Sequence, residues 1–168
     1  MYCTWWGCKP TGYCSNIKFS TSAALIDKTV SHDFSSGRCR PSWEYFQGSC
    51  YLFTDHLRTW PDAMKYCRDQ GGGLLKVTSE EEKNFVRRSG KEWWLALRRD
   101  AIHKDIFKWN DGSLPTVTFW SRNEPNNHMN QEECGESLDS GSWNDRACHD
   151  TRHTACEKGT HNGMNWCF

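Results

Sequence analysis

The chain has 168 residues, 36% of them hydrophobic, and its 21 basic side chains balance 21 acidic ones. This length suits one ordinary domain with a short appendage, and the charge balance argues against a nucleic-acid partner or an anionic membrane surface, since both are bound through a basic face. No apolar run approaches the roughly 20 residues that span a bilayer, and the first ten residues lack the pattern of a signal peptide. We therefore expect a mature soluble form without a membrane span.

Ten cysteines, an even number, are typical of a protein that folds in an oxidising compartment. On this count we expect a secreted or extracellular location. Cys3, Cys8 and Cys14 lie in residues 1–38, a stretch without sustained periodicity, which we interpret as a cysteine-containing N-terminal extension. The composition changes at Cys39, where the main domain is predicted to begin.

The first half of this domain predicts a pair of strands followed by two helices. Aromatic residues alternate with polar ones in the strand pair, as on a half-buried sheet. Each helix has a hydroxyl residue at its N-cap followed by apolar residues at helical spacing, and in the second helix Ser79 and Glu82 form a capping box. The predicted elements are a strand pair within residues 43–53, a helix from its cap Thr59 to Asp69, and a helix capped by Ser79 and ended by Ser89-Gly90.

Beyond residue 92 the helical pattern ends, and short apolar segments alternate with long loops rich in Asn, Asp, Gly and Ser. We interpret the apolar segments as strands. Long loops that are held by cysteines are typical of a functional region. The predicted strands are residues 93–97, 107–109, 119–120 and 154–156.

Five side chains between residues 124 and 145 offer hard oxygen donors, three of them anionic. Calcium binds six to eight oxygens in flexible geometry, whereas zinc prefers nitrogen and thiolate ligands, so this set favours calcium (Ca²⁺). Spacing alone would favour ordinary solvated loop residues over a metal site. The five candidate ligands are Glu124, Asn126, Glu132, Asn144 and Asp145.

Motifs in a fixed order decide between these interpretations. Glu-Pro-Asn at 124–126, then Glu132 two places before a cysteine, then Trp-Asn-Asp at 143–145 closely resemble the C-type lectin domain in its long, mannose-type form. The resemblance covers residues 39–158, and Trp-Leu-Ala-Leu at 94–97 stands where the family usually has Trp-Ile-Gly-Leu. It implies an α+β, C-type lectin-like fold in which two helices flank small antiparallel sheets, with a long calcium-binding loop region and disulfides that staple the chain.

The resemblance also implies how most of the cysteines pair. The family's N-terminal, long and short disulfides would be Cys39–Cys50, Cys67–Cys156 and Cys134–Cys148. Four cysteines remain and admit three intramolecular connectivities, and we favour an internal staple over an interchain bridge because an even count needs no partner. The remaining four are Cys3, Cys8, Cys14 and Cys167, the last of which would tie the C-terminal tail, residues 159–168, to the rest.

In this family each of the five oxygen donors binds both the metal and the sugar. A calcium-bound hydroxyl still needs one acceptor and one donor; a carboxylate accepts and a carboxamide donates. The resemblance implies that Glu124 with Asn144 would serve one hydroxyl and Glu132 with Asn126 the other, while Asp145 binds the metal through its side chain and its carbonyl. Such a site selects vicinal equatorial hydroxyls, as in mannose, fucose or N-acetylglucosamine.

Two neighbouring residues refine this expectation. The peptide bond before Pro125 is expected to be cis, as in the family, because proline makes that isomer accessible. His128 lies on the same loop. Its ring either packs against a bound sugar or faces solvent as an ordinary loop histidine.

Some family members bind a second, structural calcium near the same loops. In this chain Arg98 and Arg99 fall in the corresponding stretch, where they would repel the ion, and Asn127 stands where an aspartate is frequent. We expect the second site to be absent or altered and the sugar site to be complete.

The favoured function is therefore a calcium-dependent lectin and not an enzyme. A glycosidase needs a protonated carboxylic acid, whereas three acids around a divalent cation would stay ionised. The alternative is a protein-binding or structural domain of the same fold with little sugar affinity. The expected partners are glycans on cell surfaces or glycoproteins, as in innate immunity, with a homo-oligomer through the N-terminal extension to supply avidity.

Overall fold

The structure is a computed structural model that describes residues 39–159. Within this range two helices and eight strands give the predicted α+β class. The N-terminal extension and the last nine residues, with the predictions for Cys3, Cys8, Cys14 and Cys167, lie outside the described residues. The elements are β1 (Glu44–Phe46), β2 (Ser49–Arg58), α1 (Trp60–Asp69), β3 (Gly73–Leu74), α2 (Glu80–Arg87), β4 (Trp93–Arg99), β5 (Phe107–Trp109), a 3-10 turn (His128–Asn130), β6 (Cys134–Ser137), β7 (Trp143–Arg146) and β8 (Arg152–Gly159).

The strands form one hydrogen-bonded sheet rather than several small ones. Their order is β1-β2-β8-β4-β6-β7, with β3 paired to β8 and β5 paired to β4. Most pairs are antiparallel, and β4 meets β8 in parallel at Trp93 and His153. Because β2 pairs with β8 along almost its whole length, the two ends of the described segment lie side by side. All three disulfides that the resemblance implied, the N-terminal, the long and the short, are confirmed.

Helix α1 follows its prediction residue for residue. The Thr59 hydroxyl caps it by accepting a hydrogen bond from the Asp62 amide. Its inner face carries Trp60, whose indole N–H donates to the Leu95 carbonyl at 2.8 Å, and Cys67, whose disulfide attaches the helix to β8. The helix is therefore fixed to β4 and β8, the two central strands of the sheet.

Helix α2 keeps only half of the predicted capping box. The Ser79 hydroxyl accepts from the Glu82 amide at 3.1 Å, as expected. The Glu82 carboxylate bonds one residue before the cap instead: Oε2 accepts from the Thr78 amide and Oε1 from the Tyr51 hydroxyl, both at 2.6 Å. One oxygen of the carboxylate thus stays at the N-terminal end of the helix, and the other is bonded to a buried partner on β2.

The remaining strand predictions hold in three places and fail in one. Residues 93–97, 107–109 and 154–156 fall within β4, β5 and β8. Residues 119–120 form no strand, because Trp120 makes only a single bridge to Trp143. Strands β3, β6 and β7 were not predicted; the last two have polar sequences and pair with each other.

The core is rich in tryptophan. Trp93, Trp94 and Trp143 are fully buried, and Trp143 packs edge-to-face against Trp109 and Trp120 at ring separations of 5.7 and 5.6 Å. Such aromatic pairs contribute packing beyond the area they bury. This cluster fixes the base of β7, which bears two of the predicted ligands. Neither helix between residues 39 and 159 has the length and hydropathy of a membrane span.

Candidate calcium and sugar site

Two parts of the chain bring the predicted ligands together. The first is the hairpin of β6 and β7, in which Gly135 lies opposite Asp145 and Glu136 opposite Asn144. The second is the loop that precedes β6. Residues 119–121 of this loop are tied to β7 by two backbone hydrogen bonds, from Trp143 to the Phe119 carbonyl and from Ser121 to the Trp143 carbonyl. The core tryptophan therefore positions both parts of the site.

The loop folds around the carboxylate of Asp145. The Glu124–Pro125 peptide bond is cis, as expected. After the proline, the Asn126 amide donates to Asp145 Oδ1 at 3.0 Å and the Asn127 amide donates to Asp145 Oδ2 at 2.8 Å. Asn127 has positive φ, which asparagine tolerates better than most residues. The side chain of Asp145 is fully buried.

Glu124 and Asn126 face each other in this loop. The Asn126 side-chain amide donates to Glu124 Oε1 at 2.8 Å, and its backbone amide donates to Glu124 Oε2 at 3.0 Å. Partial burial, followed by the adjacent Asp145 carboxylate, raises the pKa of the Glu124 carboxyl above its usual range. This direction is opposite to the depression that a bound cation causes.

The third predicted acid is linked to the others through the backbone. Glu132 Oε2 accepts from the His128 amide at 2.9 Å, and the Glu132 amide donates to Asn127 Oδ1 at 3.1 Å. The side chain of His128 is exposed on the same loop. His128 therefore holds Glu132 through its backbone, a contact that the sequence did not indicate.

The last predicted ligand, Asn144, has a buried partner that was not predicted from the sequence. Asn144 Nδ2 donates to Glu136 Oε1 at 2.8 Å and to the Asp145 carbonyl at 2.6 Å. Glu136 is fully buried and also accepts from Arg152, and burial raises the pKa of its carboxyl. Its position directly across the hairpin from Asn144 was the available signal, but it required knowledge of the β6–β7 register.

Arg99 has a role in the site that its sequence position indicated only in part. We expected Arg98 and Arg99 to repel a second calcium. The guanidinium of Arg99 lies buried and forms an ion pair with Asp145, while Arg98 is exposed with its guanidinium 5.8 Å from the centre of the Trp60 ring. The absence of a second site stays a prediction.

The donor set suits calcium by its chemistry. Within residues 39–159 no three His, Cys, Asp or Glu side chains group into a metal site by themselves. Two of the five predicted ligands are carboxamides, however, and the carboxylates of Glu124 and Asp145 accept from the same Asn126 amide, each at 3.0 Å. Carboxylate, amide and carbonyl oxygens are the ligands that calcium takes, and a divalent cation relieves repulsion between adjacent acids.

Residues 56–158 match the family model of the Lectin C-type domain. The chain belongs to the C-type lectin family. It is 38% identical over 148 residues to C-type lectin domain family 4 member G of the mouse, an alignment that covers 85% of this chain and 50% of that protein. The chain thus spans about half the length of this relative. C-type lectins are non-enzymatic carbohydrate-binding domains, in agreement with the prediction that this protein is not an enzyme.

Solved C-type lectin structures superpose on the same part of the chain. The carbohydrate-recognition domain of the mouse scavenger receptor C-type lectin has a TM-score of 0.69 at 27% identity, covering 74% of this chain and all of that one. The carbohydrate-recognition domain of cow CD23, solved in the presence of a GlcNAc2Man3 oligosaccharide, has a TM-score of 0.69 at 30% identity, covering 74% and 98%. The described fold is that of a C-type lectin carbohydrate-recognition domain.

Proposed function

We propose that this C-type lectin binds carbohydrate in a calcium-dependent manner and recognises vicinal equatorial hydroxyls of mannose-, fucose- or N-acetylglucosamine-type sugars by their direct coordination to the metal. The observation that carries the proposal is the convergence of two carboxylates on one backbone amide: the Asn126 N–H lies 3.0 Å from both Glu124 Oε2 and Asp145 Oδ1, and the Asp145 side chain is fully buried. Arg99 compensates Asp145 from one side, and a divalent cation between the two carboxylates would compensate Glu124 as well. The mannose-type order of acid and amide then decides the sugar class.

The predicted ligands retain capacity for an ion. A carboxylate offers about four lone pairs, and Asp145 uses three of them, two on Oδ2 and one on Oδ1. One position on Oδ1 is left for calcium. Glu124, Asn126, Glu132, Asn144 and Asp145 would hold the ion, which supplies coordination positions for two sugar hydroxyls.

The amide donors enter this scheme differently. Asn126 Nδ2 uses one N–H on Glu124, so its second N–H can donate to a hydroxyl. Asn144 Nδ2 uses both of its N–H groups, on Glu136 and on the Asp145 carbonyl. Sugar binding therefore requires Asn144 to release one of these bonds, and a typical hydrogen bond contributes about 0.5–1.5 kcal/mol. His128, exposed beside Glu132, would contact the sugar ring.

The same hydrogen bonds favour a second candidate function, a protein-binding or structural domain with little sugar affinity. In that case the acids and amides of the site serve to satisfy one another, as Glu124 does with Asn126 and Glu136 with Asn144. The two candidates differ in one property. The lectin needs a calcium ion for ligand retention, and the structural domain does not.

The wider biological setting is part of the proposal. The number of cysteines favours a secreted or extracellular protein. Its partners would be glycans on cell surfaces or glycoproteins, in a role such as innate immune recognition. A shallow site of this kind binds weakly on its own, so a homo-oligomer through the N-terminal extension would supply avidity.

Retention on immobilised mannose in calcium, followed by elution with a chelator, tests the proposed function. Glu132→Gln should pass through the column while its circular dichroism stays that of the wild type. Glu133→Gln is the matched control, because Glu133 is the adjacent acid, outside the predicted ligand set, and its carboxylate pairs with Lys104 at 3.8 Å. Passage of the wild type through mannose, fucose and N-acetylglucosamine columns alike would leave the structural alternative.

A further inference from the structure

Arg99 joins three segments around the candidate site. It is the last residue of β4, and its side chain is only 4% exposed. Nε donates to the Glu132 carbonyl at 3.0 Å, Nη1 donates to the Lys104 carbonyl at 2.6 Å, and Nη2 donates to Asp145 Oδ2. The acceptors lie on the loop before β6, on the loop between β4 and β5, and on β7. One guanidinium thus connects two of the five predicted ligands.

The charge of Arg99 is compensated where it lies. Its acidic partner Asp145 is itself fully buried and also accepts the amides of Asn126 and Asn127. Removal of one member of a buried ion pair leaves the other charge uncompensated, so this pair cannot be broken without consequence for the loop. The planar fork of arginine matches several acceptors at fixed angles, which the single ammonium of a lysine does not. The face of Phe107, 4.6 Å from the guanidinium carbon, covers it on one side.

We infer that Arg99 is a positioning residue of the candidate site, a buried internal cation that holds Glu132 and Asp145 in place in the absence of bound calcium. The inference rests on the proposed function for its consequence, which is that calcium meets a site already arranged. A loop whose acids are held by a protein cation loses less conformational entropy when calcium binds than a loop that calcium itself must order.

Hydrogen exchange of the protein in chelator reports on this role without calcium or sugar. The Asn126 and Asn127 amides bind Asp145, and the Glu132 amide binds Asn127, so these three report directly on the loop. In Arg99→Met their exchange should accelerate about tenfold or more, while amides of β2 and β8 keep their wild-type rates. Calcium affinity, measured by titration calorimetry, should fall by about tenfold. Arg98→Met, the exposed neighbour, should match the wild type in both measurements.

Arg99→Lys keeps the charge but not the three-way fork, and we expect an intermediate exchange rate and an intermediate calcium affinity. If Arg99→Met does not fold, the exchange rates and calcium affinity of Arg99→Lys test the inference by themselves. Unchanged exchange rates of the three loop amides, in the variant that folds, would overturn the inference. Exchange that accelerates equally in the loop and in β2 and β8 would also overturn it, because Arg99 would then stabilise the whole fold and not the site. A wild type that binds neither calcium nor mannose would instead refute the proposed function and leave the exchange measurement valid.

Discussion

The disulfide between Cys134 and Cys148 offers a way to separate the stability of the domain from the order of its site. Replacing both cysteines by alanine opens a cross-link between residues 14 apart. In the chain-entropy model this costs about 3 kcal/mol, or roughly 10 °C in Tm for a domain of this size. Replacing Cys39 and Cys50, which are 11 apart, removes a loop of nearly equal length and should also cost about 3 kcal/mol.

The two bonds differ in what they hold. Cys134 lies opposite Arg146 at the open end of the β6–β7 hairpin. Glu132 is two positions before it in the chain, and the facing strand carries Asn144 and Asp145. The Cys39–Cys50 bond attaches the start of the described segment to β2, which carries no predicted ligand. The two double variants should therefore lose similar free energies of unfolding, but only removal of the Cys134–Cys148 bond should disturb the site.

Urea unfolding followed by tryptophan fluorescence should give similar losses of the free energy of unfolding for the two double variants. Calcium-dependent retention on mannose, under conditions where both remain folded, should then fall for Cys134→Ala/Cys148→Ala and stay at the wild-type level for Cys39→Ala/Cys50→Ala. Equal retention by both variants would refute the reasoning that the short disulfide orders the site. Each double variant removes a complete pair, so it adds no unpaired cysteine.

Three further predictions concern single residues. Asn144→Asp places a carboxylate against the buried Glu136, and the free energy of unfolding should drop by about 1–3 kcal/mol at pH 7 and by less at pH 4, as urea titrations would show. Gly72→Ala sets a Cβ 2.8 Å from the carbonyl oxygen of Glu157 and should lower the free energy of unfolding by about 1–3 kcal/mol. A Cβ at Gly73 meets nothing within 4 Å, so the free energy of unfolding of Gly73→Ala should lie closer to that of the wild type. Burial, and then a nearby carboxylate, raise the pKa of the Glu157 carboxyl in the folded protein. An acid whose pKa is raised by folding lowers the free energy of unfolding once the pH exceeds its unfolded pKa of about 4.3. The free energy of unfolding of Glu157→Gln, relative to that of the wild type, should therefore be higher at pH 7 than at pH 4. A difference that is constant with pH would contradict the last prediction.

The helices could be predicted from the sequence because their signals are local. Thr59 and Ser79 cap helices whose apolar residues recur at helical spacing, and both helices begin where these caps place them. Strands β6 and β7 gave no such signal. Polar side chains such as Glu136 and Asp145 are buried in them against Arg152 and Arg99, so apolar and polar residue types do not alternate along their sequences in the way that marks a half-buried strand.

In the candidate site, too, the features with a local sequence motif were predicted and those that depend on distant residues were not. The motifs of the family indicated the five predicted ligands and the cis proline, but the residues that hold those side chains in place were not visible in the sequence. Arg99 lies 46 residues before its partner Asp145, and Glu136 acts on Asn144 only through the register of the hairpin. Long-range partners of buried charges depend on the tertiary fold, and a single sequence contains no local pattern for them.

The central claim is that a sugar binds this domain through calcium. Titration calorimetry of methyl mannoside into the protein, once with saturating calcium and once with excess chelator, tests it most directly, with methyl galactoside as the comparison sugar. We expect heat of binding for mannoside only when calcium is present, and weaker or no heat for galactoside. Equal binding of mannoside with calcium and with chelator, or no binding under either condition, would contradict it.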